Sequence, residues 1–335
     1  MKKVLFATTA LVLSAGVAAA EVSISGYART GIDYQERRGD FADAENKTQV
    51  FGRLRMNIDA TRSTDQDVDF GARFRLQWDQ GSSSRGEAGA LNAGNIWVRS
   101  NGLKVTVGNV GSAFDDSDLM YGSEVGIQRR SFGNPSGEFF GYESSPYDNK
   151  DRLGIAAEYK FADFTGRLSY IDPDQRGRAD VENLAGQKEE LALSLTYKYN
   201  EWTFAGAAVT DGAGFDGNDQ YFLGVAYKFN DLGTVGLNWN DNGGYGTGAA
   251  ADRGQTFTLY GNYEVAPGTI VRGYVATNDA DNGTTLNNGY LGVKASDTAY
   301  GIGADYDLGG AMLAGGIERG YDKNVRADMG VRFDF

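Results

Sequence analysis

From residue 22 onward the chain alternates apolar and polar positions. Val22, Ile24, Gly26, Ala28, Thr30, Ile32 and Tyr34 share one face; Ser23, Ser25, Tyr27, Arg29, Gly31 and Asp33 share the other. Period two held this long predicts a β-strand with one apolar and one polar side. The pattern returns with Val50, Gly52, Leu54, Met56, Ile58 and Ala60 against Arg53, Arg55, Asn57 and Asp59. It returns again with Val68, Phe70, Ala72, Phe74, Leu76 and Trp78 against Asp69, Gly71, Arg73, Arg75 and Gln77.

Similar segments follow at 93–100, 103–109, 152–159, 164–172, 189–198, 202–210, 220–229, 233–240, 255–265, 269–277, 299–306, 311–318 and 325–335, sixteen in all. The segment Tyr290–Ser296 is the one further candidate, and counting it would make the total odd. Connections after odd-numbered strands are mostly long: 35–47, 80–92, 110–151, 173–188, 211–219, 241–254, 278–298 and the shorter 319–324. Those after even-numbered strands are short: 62–67, 101–102, 160–163, 200–201, 230–232, 266–268 and 307–310. An even strand count, with short turns at one end and long loops at the other, predicts a sixteen-stranded antiparallel transmembrane β-barrel with periplasmic turns and outer loops. A soluble sandwich would also alternate, but has no reason to segregate its loop lengths.

Composition narrows the chemistry. The chain has no Cys and no His, which removes the usual Ser-His-Asp and Cys-His nucleophiles, His/Cys metal clusters and disulfides. With no motif for an Asp/Glu or Lys base either, an enzyme is not expected. The formal charge of −13 argues against a nucleic-acid partner. Glycine is abundant at 48 residues and proline scarce at four, as suits extended strands. At the N-terminus, Lys2 and Lys3 precede an apolar run from Val4 to Val17 and the small residues Ala18–Ala20. This reads as a cleaved secretory signal peptide over residues 1–20, leaving one domain over 21–335. Its removal takes away two lysines and makes the remainder more acidic still.

Aromatic residues sit near strand ends on the apolar face. Tyr159 and Phe164 bracket one short turn and Tyr197 and Trp202 another, while Tyr34, Trp78, Tyr170, Tyr221 and Trp239 lie towards the long loops. Such rings favour the membrane–water boundary. The last strand ends Met329-Gly330-Val331-Arg332-Phe333-Asp334-Phe335, a terminal Phe of the kind that marks outer-membrane barrels for assembly.

With the opening Glu21-Val22-Ser23-Ile24-Ser25-Gly26, the segments Met120–Gly126 and Tyr306–Gly310, and this close, the chain resembles the trimeric general porins of Gram-negative bacteria, most of all those of photosynthetic alphaproteobacteria. The resemblance covers the whole mature chain. It implies an integral outer-membrane homotrimer, among lipid and lipopolysaccharide, through which small hydrophilic solutes diffuse. Gly26 and Ala28, small residues on the outward face of the first strand, also suit subunit contact.

Arg29, Arg53, Arg55, Arg73 and Arg75 fall on the polar, lumenal phase of the first three strands. At ~3.3 Å rise per residue they are expected at similar depth, as one basic wall. The connection after the fifth strand carries Asp115, Asp116, Asp118 and Glu124. In the family resembled, this third loop folds into the barrel opposite the arginines, so the four acids are the expected acidic side of a constriction. Opposed charges across a narrow aqueous passage orient polar solutes and penalise apolar ones.

The acidic total and the basic wall act in opposite senses, and a weak cation preference is expected. A substrate-specific channel is the alternative. It calls for a line of lumenal aromatics, and Tyr27, Phe51 and Tyr260, which are in lumenal phase, are too scattered to make one. No cofactor is expected beyond a structural calcium, for which Asp211, Asp216, Asp219, Asp279 and Asp281 are the loop candidates, although none matches the twelve-residue calcium loop. The tract Gly243-Gly244-Tyr245-Gly246 lacks the features of a phosphate loop.

Overall fold

The computed structural model describes residues 21–37, 46–80, 89–91, 94–135, 153–172, 188–244, 252–286 and 292–335. The expected signal segment lies outside them. Sixteen strands form the wall: β1 (Glu21–Gln35), β2 (Thr48–Ser63), β3 (Asp69–Gln80), β4 (Asn95–Ser100), β5 (Leu103–Gly108), β6 (Leu153–Phe161), β7 (Phe164–Asp172), β8 (Glu190–Tyr199), β9 (Trp202–Thr210), β10 (Gln220–Phe229), β11 (Gly233–Asp241), β12 (Gln255–Ala266), β13 (Thr269–Asn278), β14 (Thr298–Asp307), β15 (Met312–Arg319) and β16 (Val325–Asp334). A two-residue strand, Ala90–Leu91, extends the β3 pairing above β4.

Each strand pairs antiparallel with its neighbours in sequence, and β1 also pairs with β16, from Tyr27↔Asp334 to Gln35↔Arg326. The sheet therefore closes and has no open edge, as a bilayer demands of any spanning sheet. Phe335 completes the seam by exchanging backbone hydrogen bonds with Gly26 at 2.7 and 3.0 Å. Within Tyr290–Ser296, Gly292–Val293 pairs, among the described residues, with Thr285–Leu286 in a separate two-stranded sheet, so the wall keeps sixteen strands.

The short turns follow from their residues. Asn101 and Gly102 both have positive φ, as do Asn230 and Asp231. That geometry matches the twist of a two-stranded antiparallel connection, and Asn, Asp and Gly adopt it most readily.

Outward positions are apolar and exposed all round the wall, including Ile24, Leu54, Phe74, Leu168, Leu193, Leu223, Leu259 and Ile302. Near the short turns the outward rings lie side by side: Phe164 stacks on Tyr197 at 4.4 Å and Phe229 on Tyr263 at 5.8 Å, and Trp202 meets Tyr227 tilted at 4.8 Å between centroids. In lipid this apolar surface is the solvated one, so the buried core lies inside the barrel.

That core is made by the segment after β5. Residues 109–135 run inside the wall, and Phe114, Met120, Ile127 and Phe132 are almost wholly buried. Phe114 and Met120 pack with Ala192, Val209 and Phe222, whereas Val125 and Phe132 pack with Tyr260, Tyr274 and Tyr321.

Candidate functional site: the narrowed lumen

The loop is docked along one side of the lumen by a series of polar contacts. Its Ala113 amide donates to Ser169 Oγ on β7 at 2.8 Å, and its Leu119 carbonyl accepts from Asn238 on β11 at 2.8 Å. Gly133 accepts from Asn240 and Thr258, and the Phe132 amide donates to Tyr274, whose hydroxyl in turn donates to Glu318. At the elbow, the Asp328 carboxylate on β16 accepts from the Ile127 and Gln128 amides at 2.8 and 3.2 Å. Arg130 pairs with Asp33 and Asp328, and Arg129 with Asp305. These contacts lie on β7, on β11 to β16 and on β1.

The inner face of β2 to β6 stays open. A cavity of about 650 Å³ lies there between wall and loop, lined by Arg73, Arg75, Trp97, Arg99, Lys104, Glu158 and Arg167 and by Asp116 from the loop. A smaller one, about 290 Å³, is lined by Arg29, Arg53, Asp33 and Asp79 with Gln128 and Arg130 of the loop.

All five wall arginines face inward, but not at one depth. Arg29 is opposite Arg53, Arg55 opposite Gln77, Arg75 opposite Asn57 and Arg73 opposite Asp59, so they occupy four successive rungs of the ladder. Counting down from each strand top misses this, because the strands are staggered: Thr48 pairs with Tyr34, whereas the end of β3, Gln80, meets Gly52.

Their partners differ too. Arg29 donates to the Ile127 and Gln128 carbonyls at 3.3 and 3.0 Å, holding the loop elbow. Arg53 pairs with Asp79, Arg55 donates to Gln77 at 2.5 Å, Arg73 chelates Asp59 with bonds of 2.6 and 3.1 Å, and Arg75 donates to Asn57 at 2.9 Å.

The four loop acids separate in the same way. Asp116 is exposed to the larger cavity with Arg73 and Arg75. Asp118 pairs with Arg167 at 3.2 Å and lies 3.9 Å from Lys198. Asp115 accepts from the Tyr121 hydroxyl, and burial pushes it up to about 6. Burial pushes Glu124 further, to about 8, against the opposing pull of Arg129 and Arg29.

The calcium candidates are not gathered into a ligand set. Asp211 accepts from the Gly217 amide, Asp219 from the Asp211 amide and Asp279 from the Gln255 amide, so these carboxylates serve turn backbones. Among the described residues no three acidic side chains converge as metal ligands. Tyr27, Phe51 and Tyr260 make no track either. Phe51 is buried in one cluster with Ile127 and Ala314 and Tyr260 in another with Val125 and Phe132, leaving Tyr27 flanked by Arg55 and Arg332 at 5.4 and 4.2 Å.

The profile of the Gram-negative porins matches residues 7–325. The chain belongs to the Gram-negative porin family. This porin is 42% identical to the porin of Fuscovulum blasticum, covering 94% of this chain and all of the relative. It is 28% identical to the porin of Rhodobacter capsulatus, with coverage of 74% and 97%. Solved variants of the Rhodopseudomonas blastica porin superpose with a TM-score of 0.77 at 40% identity, over 94% of this chain and 100% of theirs. It is thus an outer-membrane general porin, and the family points to passive passage rather than to catalysis.

Trp97, Arg99, Lys104, Glu158 and Arg167 line the lumen of this porin and were not anticipated. The signal was available, since all five are in lumenal phase with Ile96, Val98, Leu103, Tyr159 and Leu168 on the other face. By contrast, no sequence period marks Asp328 or Asp33 as anchors of a loop some 200 and 97 residues away.

Proposed function

We propose that this porin is a passive channel with weak cation preference, through which small hydrophilic solutes cross the larger cavity between Asp116 and the Arg73–Arg75 side of the wall. The carrying observation is the one-sided docking of the loop, which leaves the inner face of β2 to β6 open with charges of both signs. No chemical step and no cofactor enter this reading. Much of the basic wall is matched by neighbouring acids: Arg53 by Asp79, Arg73 by Asp59 and Arg167 by Glu158 and Asp118. Pairing of this kind leaves a transverse field with little net sign, so the acidic surplus of the whole chain sets the preference.

In this reading residues 1–20 are removed on export, and three copies assemble among lipid and lipopolysaccharide. One matching solved structure is described by the asymmetric conductivity of engineered proteins, which accords with a conducting barrel. The test is single-channel recording of the purified mature protein in planar bilayers under a salt gradient. Large ohmic steps in groups of three, with a small reversal potential of cationic sign, are expected. Insertion without conductance would refute the channel reading.

A further inference from the structure

Among the described residues, nearly every lumenal cation of this porin has an acidic or carbonyl partner; Arg99 and Lys104 do not. They sit directly opposite each other on β4 and β5, beside the short turn. Like charges in that relation repel. Both lie over the ring of Trp97, Arg99 Cζ and Lys104 Nζ each 5.2 Å from its centroid. Neither makes a hydrogen bond or ion pair with a described residue. The acids that flank them in the same rung are engaged elsewhere. Asp69, opposite Arg99, accepts from Ser63 at 2.6 Å, and Glu158, opposite Lys104, pairs with Lys160 and Arg167 at 3.0 Å. Trp97 itself has little freedom, since it packs on Gly71, where any Cβ would fall within 2.3 Å of the ring.

We propose that Arg99 and Lys104 form a subsite for compact dianions, a phosphate group or a dicarboxylate, on the turn side of the constriction. The inference rests on the channel reading above. A guanidinium presents a planar fork of donors to an oxyanion, and an ammonium adds a compact charge. Held side by side on one indole, with no acid hydrogen-bonded to either, the two gain from an anion what a lone surface cation would not. The low-dielectric wall concentrates their field in the passage. Asp116, on the loop side of the same cavity, opposes the dianion and bounds the subsite.

The test uses the intact trimer in planar bilayers, with chloride as the current carrier and ionic strength held constant. Millimolar inorganic phosphate at mildly alkaline pH is expected to reduce the current saturably. Succinate in a parallel arm distinguishes a dicarboxylate from a phosphate preference. The variant R99Q/K104Q should raise the half-effect concentration by roughly tenfold, R99K should retain most of the effect, and D116N should lower that concentration. Unheated gel mobility shows that each variant has assembled. Ohmic chloride steps that neither phosphate nor succinate alters, or saturation unchanged in R99Q/K104Q, would overturn the subsite while leaving the channel intact. A wild-type barrel without conductance would overturn both.

Discussion

Lumenal arginines differ in what their guanidinium groups hold, and that decides what their removal does. Arg53 and Asp79 are each about one-third exposed, and pairs of this kind contribute only ~0.2–1 kcal/mol to stability. The variant R53A/R55A should therefore melt almost as the parent does. Its conductance should rise and its reversal potential move towards cations, because two positive charges leave the passage and Asp79 loses its partner. Unchanged conductance and selectivity would remove these residues from the constriction. Glu124 poses the complementary case. Its folded value of about 8, and that of about 6 for Asp115, lie above the ordinary carboxylate range near 4. Over roughly pH 4 to 8 the folded loop retains protons that the unfolded chain releases, so stability falls as pH rises through that window and levels off above it. The same ionisation adds negative charge to the loop that narrows the lumen and should strengthen cation preference, Asp115 near pH 6 and Glu124 near pH 8. Reversal potentials recorded across this range should lose their upper step in E124Q; superimposable curves for parent and variant would dispose of the assignment.

Among elements, the strands and the loop obey different rules. Gly126 has φ near +73°, and a Cβ there would come within 2.3 Å of Asp328 Oδ1, the carboxylate that receives the Ile127 and Gln128 amides. A left-handed non-glycine residue costs about 1–2 kcal/mol before that clash is counted. Both G126A and D328A should accordingly loosen the elbow, giving noisier openings and faster protease cleavage within residues 109–135, with the barrel's gel mobility preserved. Equal protection of parent and variants would show that the elbow does not hold the loop. This division also explains what could be read from the chain. All sixteen strands, their ends to within a few residues and the asymmetry of the connections were legible, because a one-residue slip would turn every leucine of a strand into the lumen. The basic phase of β1 to β3 was legible for the same reason. The rungs were not, since stagger is set by pairing between strands and leaves no period in either one. Nor was the division of labour among the arginines: Arg29 and Arg73 read alike in sequence, yet one grips loop carbonyls and the other an aspartate.

For the whole molecule, the outward surface distinguishes two environments. Paired aromatic rings border the short turns from β7 to β12. On β1 and β2 the corresponding outward positions are Val22, Ile24, Ile58 and Ala60, with Gly26 and Ala28 above them. Aromatic rings gain most where they meet the membrane–water boundary, and small residues gain most where another wall approaches closely. If β1 and β2 meet a neighbouring subunit while β7 to β12 meet lipid, the same charge should have opposite consequences on the two sides. Ala28→Arg should convert the slow, trimer-sized band of an unheated sample to monomer size, while boiling still shifts that monomer as an intact barrel does. Leu168→Arg, on a lipid-facing strand, should cost about 2–4 kcal/mol of barrel stability if it lies near the bilayer midplane, yet leave the trimer band in place. Trimers that survive Ala28→Arg but dissociate with Leu168→Arg would put the subunit contact on the aromatic side, and a parent protein that runs as a monomer in mild detergent would eliminate the contact altogether.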